Sequence, residues 1–335
     1  MARRERTTAL PKQRPRSDAR ANPGRARLLE RNSRWAILGG AAALLLLVLG
    51  FFAYQVYDQQ IARPNKVIVN VDGQKVRLNY YAERLFSFLQ ANSNSGVSLA
   101  LLEEDLVSQL EREEIALILA REKQLDLGND AVLRHIAEGF GVELGASGST
   151  FDQLYRNQVR TLKVSDSNYR RIKRAELAIT LLRAQIKTEL GDRGEQITLR
   201  SIVLADKAKA DELLKRIQSG ENFGTVAQQE SLDLQSRQQD GLMLPEPVEL
   251  LPDAISEAVA GKPVGDVVGP VAVQNTWWIF KVERKEPADY SETQKDQLSG
   301  VRLNAALDAK REALGTKVDR DFTAEDAEWA EQHAD

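Results

Sequence analysis

From residue 35 to residue 57 the chain reads WAILGGAAALLLLVLGFFAYQVY, without a single charge. About 20 apolar residues are enough for a helix to cross a ~30 Å hydrocarbon core. The stretch is therefore predicted to span a membrane, with Trp35 at one interface and Tyr54 and Tyr57 at the other, where amphipathic rings are favoured. The 34 residues before it hold eleven Lys/Arg against three acids, Glu5, Asp18 and Glu30. Basic flanks stay in the cytoplasm. The chain thus reads as a single-pass protein of the cell membrane, N-terminus cytoplasmic and everything after about Asp58 extracytoplasmic. A cleaved signal peptide would carry an apolar run of only about 7–15 residues, so an uncleaved anchor is preferred. The arm is rich in Arg, Pro, Ser and Ala without apolar periodicity and is predicted to be disordered. No aromatic residue precedes Trp35 to stack on a base, so nucleic acid is not an expected partner.

Beyond the arm the charge balance reverses. The whole chain has 46 Lys/Arg and 49 Asp/Glu, so removing the arm's eleven and three leaves 35 against 46. Cysteine is absent, which excludes a disulfide framework, a thiolate nucleophile and a cysteine zinc site. The two histidines, His135 and His333, are too few for an imidazole relay or a multi-His metal centre. Neither a metal nor a cofactor is expected. Ser201 has no base implied by its local sequence, which argues against serine hydrolysis.

The outer part divides by periodicity. In residues 66–78, KVIVNVDGQKVRL, alternating Val67, Val69 and Val71 precede Asp72-Gly73, a pair that accepts the positive φ of a type I′ turn. A hairpin is predicted there. Asn79 is predicted to cap a helix carrying Tyr80, Leu85, Phe86 and Leu89. Ser98 would start another, running to about Lys123 with Leu99, Leu102, Leu106 and Leu110 on one stripe. Helical spacing returns in 130–140, in 150–162 and in Ile172, Leu177, Leu181, Leu182 and Ile186, with Gly128, Gly141, Gly145 and Gly148 marking loops. Seven basic residues and one acid, Asp166, lie between Arg156 and Arg174. They read as a solvated face opposite Glu103, Glu104 and Asp105 rather than a lipid or polyanion site.

Residues 62–192 are accordingly expected to form a helical domain, and 196–286 a compact α+β module with a short β run, a helix from Lys207 to Gln218, Gly/Pro-punctuated loops and a strand from Asn275 to Glu283. Residues 289–335 read as a helix with Leu298, Val301, Leu303, Ala306 and Leu307, followed by an acidic tail containing Trp329. Such a stripe needs a partner, and packing back on the first bundle is expected. The fold class is α+β with a single transmembrane helix (35–57) behind a basic arm (1–34).

Three spaced motifs in the module go together. Gly220, Phe223, Ala227, Ser231 and Asp233 follow a Gly-x-x-Phe-x-x-x-Ala-x-x-x-Ser-x-Asp pattern. Residues 262–271 read KPVGDVVGPV, and Trp278-Ile279-Phe280-Lys281-Val282 closes the module. These resemble the signatures of parvulin-type (PpiC, rotamase) peptidyl-prolyl isomerase domains, which are FKBP-like α+β modules. With the anchor, the Val-rich hairpin, the helical region and the closing helix, residues 60–320 resemble SurA- and PrsA-type folding factors, in which the helical part is the SurA-N-like chaperone domain.

The resemblance implies a proline cup lined by two histidines, a Met, a Phe and a Cys or Asp. In this chain the histidine positions read Ser201 and Trp278, Leu250 stands for Met and Ala254 for Phe. Asp233 alone matches, and the glycine-rich loop survives as Asp240-Gly241-Leu242-Met243. The expected site is thus Asp233 as catalytic residue, with Ser201, Met243, Leu250, Ala254 and Trp278 contacting substrate; for Asp233 a loop brace that bonds backbone N–H groups is the preferred reading over a catalytic one. Trp277 and Trp278 alternate across their strand, one toward the module core and the other toward cleft or solvent. The function implied is a membrane-anchored extracytoplasmic folding factor. It binds unfolded or newly exported polypeptides, has the lipid bilayer and the secretion machinery as further partners, and has weak or no isomerase activity. An active prolyl isomerase and a non-catalytic scaffold for a dedicated envelope partner are the alternatives.

Overall fold

The computed structural model describes residues 40, 42–94, 96–145 and 148–334. The basic arm and residues 35–39 lie outside the described residues. Helix α1 (Ala42–Ala62) has a mean hydropathy of 1.4, is unburied, and is long and apolar enough to cross a membrane. It runs five residues past the expected end at Tyr57. Asp58–Ala62 continue it as a π-helical turn, closed by the Arg63 N–H to the Asp58 carbonyl at 2.9 Å and by the Arg63–Asp58 ion pair at 3.0 Å.

Residues from Asn65 onward form a second compact unit, mixed in helix and sheet and mostly helical. Strands β1 (Val67–Val71) and β2 (Gln74–Arg77) make an antiparallel hairpin. Its turn residues Asp72 and Gly73 both have positive φ, 49° and 86°, which a type I′ turn requires. Helix α2 (Leu78–Ala91) starts one residue before Asn79, with Arg77 in the cap position; the Asn79 side chain accepts from the Tyr80 N–H at 2.8 Å. Then come α3 (Leu99–Glu122), α4 (Asn129–Phe140), α5 (Thr150–Thr161) and α6 (Asp166–Leu190). Ser149 and Ser165 cap the last two through their hydroxyls.

The basic run is solvated, though not opposite the acids expected. Arg171 meets Glu114 at 2.6 Å, Arg156 meets Asp152 at 3.0 Å, Arg170 meets Asp166 at 3.1 Å and Lys173 meets Glu176 at 2.7 Å. Three of these partners lie three or four residues away on the same helix, where side chains become neighbours. Glu104 instead binds Arg320, from the far end of the chain.

The module begins with β3 (Arg193–Leu204), followed by α7 (Lys207–Gln218), α8 (Phe223–Glu230), α9 (Leu234–Arg237), α10 (Asp253–Val259), β4 (Val267–Val273) and β5 (Thr276–Asp289). The sheet is antiparallel in the order β3-β5-β4. Strand β4 was not legible as a strand, because Gly269-Pro270 breaks its alternation. The structure puts that pair at a register shift between Val268 and Val271 on the sheet edge, the place where proline is tolerated. Single bridges from Leu242 to Arg200 and from Glu246 to Ile197 extend the sheet beyond β3.

Helix α11 (Glu292–Leu314) starts on a Ser291/Gln294 capping box and lays Leu303, Leu307 and Leu314 into the cluster that holds Tyr81, Leu85, Leu106, Leu110 and Leu182. The acidic tail holds a strand and a helix. β6 (Val318–Arg320) adds to β1, and α12 (Ala324–His333) follows. Trp329 is buried in the same cluster. Counting acids hid two signals, the Thr323/Asp326 capping box and the apolar face Ala327, Trp329 and Ala330.

Candidate functional site

Alternation along β3 and β5 splits the module core into two layers. Ile202, Leu204 and Ile279 pack under α7 and α8, while Ile197, Leu199, Phe280 and Val282 pack under α10. Trp277 packs against the first layer and Trp278 against the second, so neither tryptophan is a freely exposed ring. Beside the second layer opens a cavity of about 300 Å³, walled by Ile197, Leu199, Asp233, Ser236, Met243 and Leu251. That volume is at the lower end of the roughly 300–1,000 Å³ of ligand clefts.

Asp233, Ser236 and Ser201 form one linked set beside the cavity. The Asp233 carboxylate accepts from the Gln235 N–H at 3.1 Å, the Ser236 N–H at 3.4 Å and the Ser236 hydroxyl at 2.5 Å, capping α9. The Ser236 hydroxyl lies 3.5 Å from that of the fully buried Ser201. The Ser201 N–H donates to the Gly241 carbonyl at 2.8 Å. Gly241 is required there: its φ is +79°, and a Cβ would stand 2.6 Å from the Ser201 carbonyl oxygen. Ser231, also buried, accepts from the Val203 and Asp233 N–H groups at 3.1 and 3.3 Å.

Of the residues expected at the site, Asp233 and Met243 line the cavity and Ser201 lies directly behind Ser236. Trp278 is half-buried outside the cavity lining. It stacks on Phe280 with centroids 5.5 Å apart, and its indole N–H donates to the Thr276 hydroxyl at 2.8 Å. It shares an apolar cluster with Met243 and Leu251. Leu250 sits half-buried in a 3-10 turn (Val248–Leu250) and Ala254 is exposed on α10; neither lines the cavity, and the wall there is Leu251. Sequence reasoning did not single out Ser236, Leu251 or Glu246. Only Ser236 carried a signal, its position three residues after a capping Asp. Burial pushes the Glu246 carboxyl above the usual range, with Gln294 pulling the other way.

Among the described residues no imidazole lines this cavity, and its two carboxyls are those of Asp233 and Glu246. What it offers is an apolar wall, hydroxyls already paired, and the exposed Leu244 in its lining, with Leu232 and Leu234 exposed on either side of Asp233 in sequence; the three are 80%, 56% and 61% exposed. Helix α11 braces the wall, Gln294 donating to the Pro245 carbonyl at 3.2 Å and Arg302 binding Glu249 through two bonds of 3.0 Å.

Residues 204–284 match the family described as the PPIC-type PPIASE domain, or rotamase. Among curated proteins, a parvulin-like PPIase of Rickettsia felis is 32% identical over 97 residues, 28% of this chain and 34% of that protein. The foldase protein PrsA 2 of Listeria monocytogenes is 30% identical over 102 residues, 30% of this chain and 34% of that one. The matched region thus spans about a third of the length of these relatives. Among solved structures, PrsA of Bacillus anthracis superposes with a TM-score of 0.35 at 16% identity, covering 68% of this chain and 95% of that one. A SurA-like chaperone structure of Campylobacter jejuni gives 0.28 at 13%, covering 77% and 100%.

Proposed function

From the PPIC-type domain that residues 204–284 carry, we propose that the protein is a membrane-anchored, extracytoplasmic folding factor. It binds unfolded or newly exported polypeptides and has little or no prolyl isomerase activity. The observation that carries this reading is the state of the cavity. An X-Pro bond must cross a barrier of about 18–20 kcal/mol, and a catalyst lowers it through groups that favour the twisted amide over the planar one. Here the histidine positions of the family are Ser201, buried and held by the backbone, and Trp278, packed on Phe280. The Asp233 carboxylate is committed to capping α9. The apolar wall and the exposed leucines remain, and they suit holding a chain.

In this reading α1 is the anchor, the basic arm lies in the cytoplasm, and residues 62–192 with the helix after 289 form the chaperone-like part around the inserted module 196–286. The bilayer and the secretion machinery are the further partners. The 32% identical relative named a parvulin-like PPIase favours the second reading, an active isomerase whose site is rebuilt around Trp278.

The test is suppression of aggregation of a chemically denatured client by the full chain in detergent. Suppression that weakens several-fold in a Leu234→Asp/Leu244→Asp variant supports chain holding at these leucines. Unimpeded aggregation in the presence of folded protein contradicts it.

A further inference from the structure

A second cleft lies away from the module, among α4, α5 and α6. Its volume is about 600 Å³, and its lining includes His135, Glu138, Phe140, Gln158, Tyr169 and Glu176, within the roughly 300–1,000 Å³ of ligand clefts. Tyr169 is fully buried, and its hydroxyl has no hydrogen-bond partner among the described residues. Its neighbour Tyr155, in edge contact at 5.3 Å, is by contrast satisfied by Asp166 at 2.7 Å and Arg170 at 3.1 Å. Burial first, then the charges of Glu176 and Tyr155, push the Tyr169 phenol up to about 12. The hydroxyl therefore stays a proton donor, and a buried donor without an acceptor is destabilising. A ligand that brings an acceptor removes that cost.

The charges at the cleft select the rest of the ligand. Lys173 is tied to Glu176 at 2.7 Å and lies 5.7 Å from the Tyr169 ring. The Glu138 and His135 side chains have no hydrogen bond or ion pair among the described residues. The cleft thus combines one unused donor, one unused carboxylate and the apolar edges of Ile136 and Phe140.

We propose that this cleft takes an extended segment of client polypeptide, with a main-chain carbonyl accepting from the Tyr169 hydroxyl and a basic side chain against Glu138. This rests on the reading that the protein binds unfolded chains, and it names a place for them outside the parvulin-type module.

The probe is a short fluorescein-labelled peptide in which arginine alternates with leucine, free of proline, titrated against the full chain in detergent. Tyr169→Phe removes a hydroxyl that bonds nothing, so the fold is retained; it weakens binding about 5-fold, the scale of one hydrogen bond. Gly139 is exposed on α4, and a Cβ there meets nothing within 4 Å. Gly139→Trp therefore obstructs the cleft without an internal clash and weakens binding at least about 10-fold. Glu138→Gln costs about 3-fold, a loss that shrinks with added salt.

Unchanged affinity in both Tyr169→Phe and Gly139→Trp, or no binding of the peptide to the unmodified chain, overturns the proposal. Client aggregation, followed in parallel, separates the two levels. If suppression persists while the peptide ignores these variants, the site is wrong and the folding-factor reading stands. If suppression is absent as well, both fall.

Discussion

The helical part and the parvulin-type module bury polar groups in opposite ways. Among the described residues of the helical part, the buried charges are Arg84, Glu103, Glu111, Glu113, Glu114 and Asp326. The buried polar residues of the module are Gln196, Thr198, Ser201, Ser231 and Ser236, none of them charged. The buried charges join segments far apart in sequence. Glu111 on α3 accepts from Arg311, 200 residues away, at 2.5 Å and also from Arg320, while Lys66 holds Asp326 at 2.6 Å. Contacts between segments so far apart in sequence fix one register, because paired charges reject misalignment by leaving a buried ion unpaired. The buried polar side chains of the module are hydroxyls and one amide instead.

The contrast is broken most severely at Arg84, whose guanidinium makes two bonds of 2.9 Å to Glu113. Arg84→Leu strands a buried carboxylate and is expected to cost about 3–5 kcal/mol. Denaturant unfolding followed with region-specific probes should show the helical part lost first and the module still folded; simultaneous, unshifted unfolding would contradict the division. Within the module the largest effect is Gly241→Ala, which forces a side chain onto the Ser201 carbonyl at positive φ. It should cost on the order of 1–3 kcal/mol and leave the helical part untouched, as read by the same unfolding curves.

Titration sharpens the comparison. Burial first, then Glu331 on α12, push Glu103 up to about 7 from an ordinary 4.5. The folded state then holds a proton that the unfolded state has released, so stability of the helical part falls as pH rises from about 4.5 through 7. Burial alone would also raise Glu111, but Arg320 and Arg311 outweigh it and hold that carboxyl below its usual range. Its contribution is present above 4.5 and is lost as pH falls through the lowered value. Stability of the helical part should therefore decline on both sides of mildly acidic pH. Glu103→Gln should remove the slope between 4.5 and 7, and a slope unchanged by that substitution would rule the residue out.

The smallest effect is at Asp233. Asp233→Ala removes a helix cap and should cost about 1 kcal/mol of module stability, read as a shift of the denaturation midpoint.

The elements legible in the sequence were those with local causes. Asp72-Gly73 dictates the hairpin, and Asp206, capping at the Lys209 N–H, starts α7. Strand β4 was hidden by Gly269-Pro270, and α12 by the acids that surround Trp329. The pairing of Glu111 with Arg311 and Arg320 has no local signature at all. Spaced motifs singled out Asp233 and Met243, both of which line the cavity, but that the Asp233 oxygens are spent on Ser236 depends on how the loop folds back. Tyr169 looks like an ordinary core aromatic in sequence, and only the packed structure leaves its hydroxyl without an acceptor.

The central claim is that the module holds chains without isomerising them. Its most direct test is the cis-to-trans rate of a chromogenic prolyl peptide measured with the full chain in detergent, beside a Trp278→Ala variant. The account predicts the uncatalysed rate with both proteins, from samples shown to be folded. Acceleration by the unmodified chain that disappears in Trp278→Ala would contradict it and establish a catalytic site rebuilt around that ring.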